Sequence, residues 1–146
     1  MTRVEKSIDI DTPPEKVWPF INWDNVPNLF DSVKKLEWTS KEHNQVGATL
    51  HFATELAGVK SEADAEITEW TANKTASWRT TSGNPTIIFT ASLVPTQTGS
   101  KATFTADYEL PYSILGKTID KLRVHKAMEK DGENALKKLK AMAEKQ

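Results

Sequence analysis

From Ser113 to its end the chain is rich in Lys, Glu, Leu, Ala and Met and carries no proline, and strand-like segments fill the residues just before it. This order constrains the fold more than any single motif. Six sequential strands joined by short turns make an antiparallel meander, which buries one face and leaves the other wet. Only the terminal helix is long enough to cover the buried face, so the two must pack together.

The period-two rows that define the strands are explicit. Residues 2–10 alternate through Ser7-Ile8-Asp9-Ile10, with Val4 earlier, and read as a first strand. Thr12-Pro13-Pro14-Glu15 then announces a short helix over about 13–22, with Thr12 as its cap and Val17, Trp18, Phe20 and Ile21 as its apolar face. Asp24 starts a second short helix that buries Val26, Leu29 and Phe30. Leu36 and Trp38 open the meander. The following inward rows are Val46, Ala48, Leu50, Phe52 and Thr54, then Val59, Ser61, Ala63, Ala65 and Ile67. Ala76, Trp78 and Thr80 come next, then Ile87, Phe89, Ala91 and Leu93, and last Ala102, Phe104, Ala106, Tyr108 and Leu110. Turn signals separate the rows at His43-Asn44-Gln45, Ala57-Gly58, Ala72-Asn73, Ser82-Gly83-Asn84-Pro85 and Pro95–Ser100. The helix is expected from Ser113 onward. Leu115, Ile119 and Leu122 lie on one side, while Val124, Met128, Ala135, Leu139 and Met142 lie on another, which implies a break near 122–124. The expected architecture is α+β: a curved antiparallel sheet of about seven strands gripping a long C-terminal helix, with two short helices after strand 1, in one domain over 1–146.

Residue size on the inward face is informative. Ala48, Ala63, Ala65, Ala76, Ala91, Ala102 and Ala106 take positions where branched residues fit a sheet better. Large aromatics (Trp18, Trp78, Phe52, Phe89, Phe104, Tyr108) share that layer. Either the helix approaches the sheet closely at the alanines, or a cavity lies between them. The helix carries Met128 and Gly132 where a packed helix would carry Leu, and Gly132 costs about 1 kcal/mol of helix propensity relative to Ala.

Composition narrows the function classes. There is no cysteine among the 146 residues, which removes disulfides, thiolate metal sites and thiol nucleophiles. A net charge of -1 argues against nucleic acid as a partner. No run of 18 apolar residues exists and the N-terminus has no apolar core, so neither integral membrane contact nor a signal peptide is expected, and the expected location is cytoplasmic. A monomer is the expected state. Residues 117–146 hold nine Lys or Arg against five Asp or Glu, net +4, read as a solvated helix face.

The ordered segments Val4–Ile10, Thr12–Trp18, Val46-Gly47-Ala48, Ile67–Trp70, Gly99–Phe104, Tyr108–Pro111 and Leu115-Gly116-Lys117 resemble the START-like helix-grip superfamily known as SRPBCC. Within it they are similar to the polyketide cyclase/dehydrase and lipid-transport branch. The resemblance spans nearly the whole chain. It implies a hydrophobic cavity between sheet and helix, in a superfamily whose members bind lipids, sterols, quinones or hormones, cyclise polyketides, or activate chaperones.

The residues offer little conventional chemistry. His43, His51 and His125 form no metal-binding spacing, with His51 on the wet side of its strand, and no nucleotide loop or nucleophile elbow is present. No cofactor or metal is expected. Tyr108 and His125 are the candidates for acid–base work or ligand orientation. Arg79 and the acidic row Glu62, Asp64 and Glu66 belong to the wet face. The candidate ligand-binding set is Trp18, Leu50, Phe52, Ala63, Ala65, Ile67, Ala76, Trp78, Phe89, Ala91, Phe104, Ala106, Tyr108, His125 and Met128. The expected function is binding or transport of a hydrophobic small molecule. The alternatives are a cyclase or dehydratase, and a chaperone-activator-like interaction module.

Overall fold

The computed structural model describes residues 1–110, the backbone of 113–114 and 117–118, and residues 120–145. Seven antiparallel strands form one sheet: β1 (Thr2–Ile10), β2 (Val33–Trp38), β3 (Thr49–Leu56), β4 (Val59–Thr71), β5 (Thr75–Gly83), β6 (Thr86–Pro95) and β7 (Ser100–Glu109). Their spatial order is β1-β7-β6-β5-β4-β3-β2. The first two strands in sequence are therefore the two edges. Two short helices, α1 (Pro14–Val17) and α2 (Val26–Leu29), lie on the connection between those edges. Helix α3 (Lys121–Glu144) packs chiefly along β1 and also touches α1, α2, β3 and β7. This is the α+β helix-grip arrangement that the strand rows and terminal helix imply.

The inward rows supply the core. Ala65, Ile67, Ala76, Ala91 and Ala102 are fully buried, and so are Val17, Ala135, Leu136, Leu139 and Ala143. Two register shifts between β4 and β5, at Asp64/Ala65 and Ile67/Glu69, bend the long central strand. Gly83 (φ +87°) pairs with Ala63, and any Cβ there would overlap the Glu62 carbonyl oxygen. Gly99 is equally constrained: a Cβ would run into the backbone of Ile10 and Thr12.

The structure revises several local expectations. The first helix spans only Pro14–Val17 and tightens into a 3-10 turn at Trp18–Phe20, because Pro19 supplies no N–H to continue it. Thr12 does not cap it. Pro13 takes the cap position, and the buried Thr12 hydroxyl donates instead to the Ala143 carbonyl at 3.4 Å, joining the β1–α1 turn to the end of α3. The segment after Asn22 is a 3-10 turn, Trp23–Asn25, leading into α2; the Asn22 side chain caps it by accepting from the Asn25 N–H. Val46 is exposed and precedes β3 rather than sharing its inward row.

The long helix begins at Lys121, not at Ser113. Two short strands, β8 (Ser113–Ile114) and β9 (Lys117–Thr118), pair in the intervening stretch. Asp120 sets the start by accepting the Arg123 N–H at 3.1 Å. The change of apolar face near 122–124 thus marks the helix N-terminus and not a break within it. Leu122 is exposed, and the expected positions of Leu115 and Ile119 lie outside the described residues.

Candidate functional site

The sheet and α3 do not close evenly. Towards its C-terminus α3 presents Ala135, Leu136, Leu139 and Ala143, all fully buried. Towards its N-terminus it presents Val124, Met128, Asp131 and Gly132, which line a cavity. About 1080 Å³ of atom-free space lies there, open solvent at the mouth included, and about 140 Å³ of it admits the centre of a water molecule. Both outcomes allowed by the alanine rows therefore occur, at opposite ends of one interface.

Aromatic rings stand in the cavity wall among aliphatic side chains. Trp23, Phe30, Phe52, Trp78, Phe89 and Phe104 line it and touch one another. Trp23 meets Trp78 edge-on at 5.8 Å, Phe30 stacks on Phe104 at 5.5 Å, and Trp78 stacks on Phe89 at 5.8 Å. Strand register explains the grouping, since Trp78 pairs with Phe89, Phe89 with Ala106, and Ala106 with Val4, so one stripe crosses four strands. Buried Trp23 contributes a further feature: among the described residues its indole Nε1 is the buried side-chain nitrogen without a hydrogen-bond partner.

Few polar groups interrupt this wall. Thr54 and Ser61 bond to each other at 2.9 Å across β3 and β4. Lys6, on the inward row of β1, sends its ammonium to Glu129 at 3.2 Å and Glu133 at 3.0 Å on α3. Those hydrogen bonds, Glu133 first, hold the Lys6 pKa above its ordinary value. Asp131 is half-buried and accepts from the Ser32 hydroxyl at 2.5 Å and the Ser32 N–H at 3.4 Å. Burial pushes its carboxyl pKa up, against the lowering effect of Ser32.

The stem of Lys6 passes Gly132, where a Cβ would stand 3.8 Å from Lys6 Cγ, an ordinary contact. Gly132→Ala is therefore expected to fold and to gain up to about 1 kcal/mol from helix propensity, at the cost of one methyl group of cavity space. Urea denaturation of the two proteins side by side measures it, and a loss of stability would show that the helix cannot move by the little this contact asks.

The residues singled out from sequence fall into three groups. Phe52, Trp78, Phe89, Phe104, Ala106 and Met128 line the cavity. Leu50, Ala63, Ala65, Ile67, Ala76 and Ala91 lie in the packed core, and Trp18 sits edge-on to Trp70 at 5.1 Å. Tyr108 and His125 form a pair beside the cavity: the Tyr108 hydroxyl is 2.7 Å from His125 Nδ1, and His125 Nε2 is 3.6 Å from Glu129. Burial, with Glu129 adding to it, raises the Tyr108 pKa. Through Glu129 this pair connects to Lys6, so a chain of polar contacts runs beside the cavity from β7 by way of α3 to β1. Sequence reasoning passed over Lys6, Ser32 and Asp131. Two of these had a legible signal: Lys6 alternates with Val4 and Ile8, and Asp131 falls on the stripe 124, 128, 131, 135.

On the outer face His51 bonds to Asp64 at 2.8 Å and Glu62 at 3.1 Å, which raises its pKa, while Ser82 donates to Asp64 at 2.7 Å. Among the described residues no group of three His, Cys, Asp or Glu side chains is placed to hold a metal ion, and no helix is long and apolar enough to cross a membrane.

A bent antiparallel sheet closed by one long helix over an aromatic cavity defines a helix-grip domain. The chain belongs to the polyketide cyclase / dehydrase and lipid transport family, whose model matches residues 1–144. An uncharacterized 17.2 kDa protein from the melC2-rnhH intergenic region of Streptomyces lincolnensis is 27% identical over 84 residues, 57% of this chain, and the match spans about half of that relative, 52%. Among solved structures, protein TTHA0849 from Thermus thermophilus superposes with a TM-score of 0.79 at 23% identity, covering 97% of each chain. The Zhui aromatase/cyclase from Streptomyces sp. R1128 gives 0.80 at 14% identity over 98% of this chain and 93% of its own. A START superfamily protein from Mycobacterium smegmatis gives 0.75 at 15% identity over 98% and 97%. At these identities the structural likeness speaks for the fold alone.

Proposed function

We propose that this protein binds and carries a hydrophobic small molecule in the cavity between the sheet and α3. The supporting observation is empty space walled by six mutually touching aromatic rings. A protein needing only stability would fill that space, because interiors pack densely and voids cost stability. Apolar surface removed from water contributes about 25 cal/mol per Å², so a ligand burying about 200 Å² gains about 5 kcal/mol before ordering costs. A second reading, a cyclase or dehydratase, is favoured by one observation: a titratable carboxyl, Asp131, stands on the cavity wall where a general acid or base would act.

Titration with the neutral fluorophore N-phenyl-1-naphthylamine tests the carrier reading. Saturable enhancement at one site, competed by the apolar extract of the denatured purified protein, is the expected result. A flat titration would overturn it. Native mass spectrometry of the same preparation identifies any molecule that co-purifies.

A further inference from the structure

On the cavity wall stands a carboxyl group, Asp131, that no cationic side chain among the described residues contacts directly. Among the described residues, Asp131 forms no ion pair. Lys138 acts on Asp131 from a distance, and both it and Lys6 are committed elsewhere. Lys138, which sits two turns further along α3, is bound to Asp31 at 2.5 Å. Lys6, the cationic side chain on the cavity wall, is held between Glu129 and Glu133. The Lys138–Asp31 pair acts on Asp131 in opposite senses, Asp31 disfavouring its charged form and Lys138 favouring it. Among the described residues, the hydrogen bonds to Asp131 come from one residue, Ser32, through its hydroxyl and its backbone N–H. A carboxylate has about four acceptor sites, so capacity remains for a further donor. Six aromatic rings stand elsewhere on the wall among aliphatic side chains, and ring faces attract cations.

We propose that the ligand of this cavity is a hydrophobic amine, whose protonated nitrogen donates a hydrogen bond to Asp131 while its apolar body lies against the aromatic wall. The proposal rests on the carrier reading and specifies its ligand class. It also says what the cavity rejects. A fatty or aromatic acid would meet the Asp131 carboxylate, while Lys6, the cationic side chain among the described lining residues, is already doubly paired. An unsubstituted hydrocarbon would dehydrate the Asp131 carboxyl and offer it no donor beyond those of Ser32. An ammonium supplies charge, a donor and a cation–π contact together.

The test uses one apolar skeleton with three heads: 1-naphthylmethylamine, 1-naphthalenemethanol and 1-naphthoate, titrated calorimetrically into the whole protein at about pH 7.5. The amine is expected to bind about ten-fold tighter than the alcohol, and the carboxylate weakest. Asp131→Asn keeps the shape and the Ser32 contact, and is expected to bring the amine to within about three-fold of the alcohol while alcohol binding is unchanged. An amine that binds no tighter than the alcohol, or a preference that survives Asp131→Asn, would overturn the proposal and leave the carrier reading standing. Failure of all three probes would overturn both. The wild-type ranking needs no variant, so a poorly folding Asp131→Asn does not remove the test.

Discussion

Ala106→Phe is expected to abolish uptake of apolar probes while the protein stays folded, whereas Ala65→Phe is expected to unfold it or destabilise it severely. The sequence presents these two alanines as equivalents, each inward-facing on a central strand. The structure separates them. Ala106 pairs with Val4 and Phe89, and all three line the cavity, so a new phenyl ring has open space to occupy. Ala65 is 0% exposed, pairs with Leu50 and Thr80, and lies in the packed part of the core. A ring there must push side chains off their rotamers or displace strands, which costs about 1–3 kcal/mol or more. Thermal melting with probe titration reads both effects. Loss of binding without loss of fold at Ala106 would locate the ligand in the cavity. Retained binding by folded Ala106→Phe would place the ligand elsewhere.

The contrast shows why the fold was legible and the site only partly so. Strand rows and a terminal proline-free helix carry the architecture in local patterns, because a period of two against a period of 3.6 is visible in any window of the chain. The distance between two packed layers is not a local property. Ala63, Ala65, Ala76 and Ala91 look like cavity residues for the same reason that Ala106 does, since each is small and inward. What differs is the depth of α3 above them, set by Leu136 and Leu139 at one end and by Met128 and Gly132 at the other. The polar residues of the wall were hidden differently. Lys6 shares the inward row of Val4 and Ile8, but its charge masks that signal; in the fold it pairs in register with Phe104 and reaches two glutamates on α3. Ser32 stands in a connection whose approach to the helix has no sequence signature, so its partner Asp131 could not be found from it. The sequence places the start of α3 at Ser113 because no proline separates Ser113–Thr118 from the Lys- and Glu-rich stretch that follows, but the Asp120 cap decides the boundary.

If α3 is divided in this way, stability and binding are separable along one helix. Leu139→Ala is expected to cost about 2–5 kcal/mol, because Leu139 is 0% exposed within the main apolar cluster and its loss leaves a void that the flanking strands close only in part. It lines no part of the ligand cavity, so the molecules that remain folded should bind an apolar probe with unchanged affinity. Binding that favours the folded state adds a stabilising free energy set by ligand concentration and affinity alone. Saturating probe should therefore stabilise Leu139→Ala by the same free energy as the wild type, although both curves start lower. Met128→Ala should behave in the opposite way. Met128 already faces open space on its cavity side, so its truncation removes fewer contacts and costs less than the Leu139 change, yet it alters the wall a ligand touches. Chemical denaturation of both variants with and without probe reads the four quantities. Equal stability losses with equal changes in probe affinity would mean that α3 supports one continuous core, and that the two ends of the interface do not do different work.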